Sequence, residues 1–85
     1  MYIHLGGDYV VAENDIIGIF DLENTTVSKK TRDFLSISEK RKEVIYVSYE
    51  LPKSFVVTSK KNKNKVYISQ ISPTTLNKRL GINIK

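Results

Sequence analysis

The 85-residue chain has no cysteine and no tryptophan, one methionine, one histidine and two prolines. Without cysteine neither a disulfide framework nor a thiolate metal site is available, and a reducing compartment such as the cytoplasm suits the composition. No other metal-ligand type clusters near His4 in sequence, so a tyrosine neighbour is a better expectation for it than a metal or a catalytic proton. A glycine-rich phosphate loop with its lysine is missing. Acid pairs such as Asp21 and Glu23 fall at a strand end, where they read as solvated stops rather than as a general acid and base. No enzyme, cofactor or small-molecule substrate is therefore expected. Met1-Tyr2-Ile3-His4 lacks the basic start and long apolar stretch of a secretion signal, and no run approaches a membrane span, so the chain reads as cytoplasmic with no membrane partner. Its length predicts one domain over 1–85, of the small size at which oligomerisation commonly supplements a limited core.

The first third lacks positive charge altogether. Residues 1–28 hold five acids (Asp8, Glu13, Asp15, Asp21, Glu23) and no Lys or Arg, whereas residues 29–85 hold fourteen bases and four acids, which together give the net charge of +5. The basic part suits an anionic partner such as nucleic acid; the acidic part would repel it. A second surface of opposite sign also suits a head-to-tail contact between copies, which closes into a ring when the rotation allows.

What the sequence does have is a short apolar run between two aspartates, Asp15-Ile16-Ile17-Gly18-Ile19-Phe20-Asp21. Branched and aromatic residues make it a strand, apolar on both faces, with Ile17 and Ile19 to one side and Ile16 and Phe20 to the other. That pattern predicts cover on both faces rather than a wet edge, and Gly18 predicts a place where a neighbour comes close. Before it, Gly6-Gly7 predicts a two-residue hairpin turn joining Tyr2–Leu5 to Asp8–Val11, with Ile3 opposite Val10 and His4 opposite Tyr9. One face then carries Ile3, Leu5 and Val10. The other carries Tyr2, His4, Tyr9 and Val11, too apolar for water and so a candidate subunit contact, with Asp15 at its rim.

The rest alternates between helix and strand signals. Val27, Thr31, Phe34, Leu35 and Ser38 form a helical stripe after possible N-caps at Thr25 or Thr26, and Lys40-Arg41-Lys42 at its end suits the helix dipole as well as an anion. Val44–Tyr49, Phe55–Thr58 and Lys65–Ile71 read as strands. The Lys60-Lys61-Asn62-Lys63-Asn64 linker reads as a loop whose lysines either grip phosphates or keep a sheet soluble. Ser72 as cap, Pro73 at the first helical position, the Leu76 and Leu80 pair, and Gly81 as stop predict a short closing helix. The fold class is α+β, mainly antiparallel sheet with one middle and one C-terminal helix.

Met1-Tyr2-Ile3-His4-Leu5-Gly6, Tyr9-Val10-Val11 and Asp15 to Leu22 resemble the start of the RemB branch of the RemA/RemB family of bacterial extracellular-matrix regulators. The resemblance resumes at Phe34-Leu35, at Pro52 to Thr58, and from Tyr67-Ile68-Ser69 through Ser72 to Arg79. It implies a non-enzymatic, oligomeric regulator of biofilm matrix genes that binds double-stranded DNA. Where the RemA branch is basic, this chain has Asp15 and Leu51-Pro52, so contact with phosphates falls to other bases: Lys53, Lys78 and Arg79, with Lys60 and Lys61 at the loop. The expected oligomer interface comprises Tyr2, His4, Tyr9, Val11, Asp15 and Gly18. The rival reading is an oligomeric interaction protein of the same fold without DNA contact.

Overall fold

The computed structural model describes residues 1–23 and 28–80. Strands β1 (Tyr2–Gly6) and β2 (Tyr9–Ala12) form a hairpin, a 3-10 turn (Glu13–Asp15) leads into β3 (Ile16–Asp21), and α1 (Lys29–Lys40) precedes β4 (Val44–Tyr46). Strands β5 (Ser54–Lys60) and β6 (Lys63–Ser69) then form a second hairpin, and α2 (Pro73–Leu80) follows. The fold is α+β, and only the pairing of β4 with β6 is parallel among the described ladders. The main sheet has the order β3-β5-β6-β4.

Alternation along β5 and β6 gives that sheet two apolar faces. On one, Val56 packs with Ile3, Leu5 and Val11 of the first hairpin, with Val47, and with Leu76 and Leu80 of α2. On the other, Phe55, Val66 and Ile68 lie under Leu35 of α1 with Leu22, Val44 and Val57. The hairpin and α2 thus form one outer layer and α1 the other. Two buried serines tie the layers together through backbone groups: Ser69 Oγ donates to the Leu5 carbonyl at 2.7 Å and Ser54 Oγ donates to the Ile71 carbonyl at 2.7 Å.

Three sequence expectations need correction. In the first hairpin, Ile3 faces Val11 and His4 faces Val10, because a bulge between His4 and Gly6 adds a residue to β1 and moves the turn to Gly7-Asp8. One residue of slip exchanges the faces of β2, so Val11, expected outside, is 8% exposed in the core while Val10 lies outside. Gly6 tolerates this with φ +121° and sits so close to Gln70 and Val47 that a Cβ there would lie 2.8–2.9 Å from their side chains.

In β3 a second bulge falls between Ile16 and Gly18, so Ile16 and Ile19 both turn to the α2 side and Ile17, 65% exposed, is the extra residue. The strand is also an edge of the sheet rather than a covered centre. The neighbour at Gly18 is local: a Cβ there would lie 2.7 Å from the ring of Phe20, which stacks on Phe55 at 4.9 Å.

The third correction concerns β4, which ends at Tyr46 and pairs with β6 rather than with the next strand, β5. Chain segment β3, α1, β4 is a crossover from one edge of the sheet to the other, and the β5–β6 hairpin fills the gap between them.

Both helices start as their chemistry dictates. Ser28, not a threonine, caps α1, its Oγ accepting from Thr31 N at 3.2 Å; the expected caps Thr25 and Thr26 lie outside the described residues, as does Val27. Ser72 Oγ accepts from Thr75 N at 3.3 Å at the start of α2, as expected, and Leu76 and Leu80 are both buried. Gly81 lies outside the described residues.

The β5–β6 turn is tighter than a loop: Lys60 pairs with Lys63, and Lys61 and Asn62 both take positive φ, 52° and 66°. Those are the angles of a primed two-residue hairpin turn, which Asn-Gly adopts with far less strain than Lys-Asn. The double variant Lys61→Asn with Asn62→Gly is expected to gain about 1 kcal/mol, raising Tm by roughly 4–8 °C for a domain of this size. Thermal melting checks it; an unchanged or lower Tm contradicts the turn.

Candidate nucleic-acid interface

The strand period of two puts Thr58 and Lys60 of β5 and Lys63, Lys65 and Tyr67 of β6 on one face, which the register confirms by pairing Thr58 with Lys65 and Val56 with Tyr67. It is the face that the first hairpin covers lower down, so β2 forms a second wall. The result is a groove of about 400 Å³ lined by Lys60, Lys61, Lys63, Lys65, Thr58 and Tyr67 on the sheet side, by Tyr2 and Val10 to Ala12 on the hairpin side, and by Asp15. Four lysines meet one carboxylate there.

Lys60 and Lys63 are direct cross-strand neighbours, an arrangement of like charges that costs stability unless an anion lies between them. Tyr67 supplies a neutral donor. Burial first, then the fields of Tyr9 and Asp15, raises its hydroxyl above the ordinary 10.0, so it keeps its proton at physiological pH. Its ring is braced edge-on by Tyr9 at 6.1 Å. A groove with several ammonium groups and a phenol suits the oxygens of a phosphate chain.

The residues expected from sequence separate in space. Lys60 and Lys61 line the groove, with Tyr2, Val11 and Asp15 of the expected interface. Lys53 is exposed at the opposite end of β5, roughly 20 Å away along the strand, its backbone bonded to Leu22 and Ser69. Lys78 is exposed on α2 and does not line the groove. Arg79 Nη1 donates to the His4 carbonyl at 3.0 Å and so clamps α2 to β1. The expected hairpin contact face keeps Tyr2, His4 and Tyr9 exposed, Tyr9 with its ring edge-on to Tyr67, and Gly18 lies on another strand, beneath Phe20. Lys65 and Tyr67 are groove residues that sequence reasoning missed, and Lys63 was weighed only as a loop lysine. Their spacing at every second residue was a usable signal once Lys63 was placed inside a strand rather than in a loop.

Among the described residues no group of three or more His, Cys, Asp or Glu is placed to hold a metal, and no described helix is long and apolar enough to cross a membrane. Two comparisons relate the chain to known proteins. The family model of RemA-like proteins, described as extracellular matrix regulatory protein A-like, matches residues 2–80. The chain is also 44% identical over 79 residues to extracellular matrix regulatory protein B of Bacillus subtilis (strain 168), covering 93% of this chain and 89% of that protein.

Proposed function

Because the chain belongs to the RemA-like family, on the side of extracellular matrix regulatory protein B, we propose that it is a non-enzymatic regulator of extracellular-matrix genes that binds double-stranded DNA as a homo-oligomer, in a closed ring. The observation that carries the DNA reading is the four-lysine groove between the two hairpins. Lys60, Lys61, Lys63 and Lys65 project from one hairpin tip, and the opposed pair Lys60 and Lys63 gains most from a bound polyanion. A ring repeats such grooves along one DNA, so contacts that are weak singly add up through avidity. The separation of five acids from fourteen bases along the chain supports contact between unlike patches of successive copies.

The reading is tested by titrating duplex DNA binding against salt. Each phosphate contact contributes roughly −0.9 to the slope of log affinity against log salt, so replacing Lys60, Lys61, Lys63 and Lys65 by Ser should flatten it by about 3 to 4 per chain in contact. Lys53→Ala, at the other end of β5, should leave the slope unchanged. Equal slopes for wild type and the quadruple variant would overturn the groove assignment. One observation favours the rival, an interaction protein without DNA contact: Asp15 puts a carboxylate inside the groove. Absence of binding at low salt would decide for that rival.

A further inference from the structure

The four-stranded sheet ends in two open edges, β3 and β4. No described strand pairs with the outer side of either, and β3 carries neither a lysine nor a proline to discourage pairing. Strand β5 runs antiparallel to β3 and to β6, and β4 runs parallel to β6, so the two edges point the same way. A second copy set beside the first in the same orientation therefore presents its β3 to the first copy's β4 as a parallel ladder. Repeating that step about an axis along the strands continues one sheet from copy to copy.

The side chains on the α1 face suit this continuation. The registers place Phe20, Phe55, Ile68 and Tyr46 in one row across the sheet, ending in exposed rings at both edges, Phe20 at 45% and Tyr46 at 60%. Next to β3 the row opens into a mostly apolar groove of about 310 Å³, floored by Ile17, Phe20, Phe34, Phe55 and Val57, with Lys30 and Thr31 of α1 also in its lining. Bringing β4 beside a partner's β3 sets Tyr46 against the mouth of that groove, an aromatic cross-strand contact of the sort that stabilises sheets.

Charge selects the direction. Exposed Lys40, Arg41 and Lys42 outnumber half-buried Glu43 in the segment that leads into β4, and half-buried Glu13 and Asp15 lead into β3. A parallel ladder brings these strand starts together, base to acid. Pairing β3 with a second β3 would instead run antiparallel or place like ends together, and Asp15 and Asp21 at its two ends would meet carboxylates either way.

We propose that the β4 edge of one copy docks on the β3 edge and Phe20 groove of the next, with Tyr46 as the central contact and Lys40 to Lys42 facing Glu13 and Asp15. This rests on the oligomeric reading above and names its joint. It also sets the lysine tips at one end of every subunit, since β5 ends where β3, β6 and β4 begin, so the four-lysine grooves share one rim of the assembly.

The test uses light scattering on Ile17→Glu, which spoils the groove side, and Tyr46→Glu, which spoils the other. Each alone should fall to the 9.7 kDa mass of a single chain. Because the two spoiled sides differ, an equimolar mixture should rise towards twice that mass and stop. A variant that keeps the wild-type mass, or a mixture no heavier than its components, overturns this joint while leaving oligomerisation intact. A monomeric wild type overturns both. Circular dichroism checks folding, and a charge swap guards against a variant that misfolds: Lys40→Glu with Arg41→Glu, both exposed, should weaken the assembly, and adding Glu13→Lys with Asp15→Lys should restore it. Failure of that restoration overturns the charge pairing.

Discussion

Replacing Leu76 by alanine is expected to cost about 3 kcal/mol and, for a domain of this size, to lower Tm by more than about 12 °C. Leu76 is fully buried, and its cluster draws on Ile3 and Leu5 of β1, Val11 of β2, Val47, Val56 of β5 and Leu80. Truncation removes its transfer free energy and leaves a cavity where α2, the first hairpin and β5 meet, which the surrounding structure can fill only in part. Because α2 is only two turns long, it contributes little helix stability of its own and depends on this leucine to stay docked. Lys78→Ala, on the exposed side of the same helix, is the control and should stay within about 0.5 kcal/mol of wild type. Chemical denaturation of the two variants separates the outcomes. Equal midpoints would mean that α2 does not close the core.

The second large effect concerns a hydroxyl. Ser69 is fully buried; its Oγ donates to the Leu5 carbonyl at 2.7 Å and accepts from Ile71 N at 3.0 Å. Ser69→Ala removes only one atom, yet it orphans a carbonyl beneath the first hairpin and an amide at the exit of β6. A buried unsatisfied group costs about 1–3 kcal/mol, so a loss of about 2–3 kcal/mol is expected, the amide being half-buried and partly reachable by water. Ser69→Thr keeps the hydroxyl and adds a methyl to a packed site, so it should also destabilise, by a different route. Hydrogen exchange distinguishes the two. In Ser69→Ala the amides of β1 and β2 should lose protection before those of β5, because the lost bond joins the hairpin to the sheet. Uniform loss of protection across the whole chain would contradict that role.

Local chemistry alone determined much of this protein. Ser72, Pro73 and the Leu76–Leu80 spacing specify α2 without help from the rest of the chain, and the branched and aromatic runs specify β3, β5 and β6, because caps, first-turn proline and side-chain stiffness act within a few residues. The strip of apolar positions on α1 was legible for the same reason. The family could be recognised too, since its blocks keep their order and spacing along the chain. Register and neighbours were not local. The bulges beside Leu5 and at Ile17 appear because two layers must each fill one face of the sheet, and adding one residue was the way to put Val11, Ile16 and Ile19 all inward. Whether β3 lies at an edge depends on where α1 carries the chain next, and whether β4 meets β5 or β6 depends on the β5–β6 hairpin inserting between the edges. The basic groove follows from the same packing. Lysines at every second residue of two strands share a face by strand geometry, but only the first hairpin, packed on that face through Leu5, Val11 and Ser69, supplies the wall that makes a groove of them.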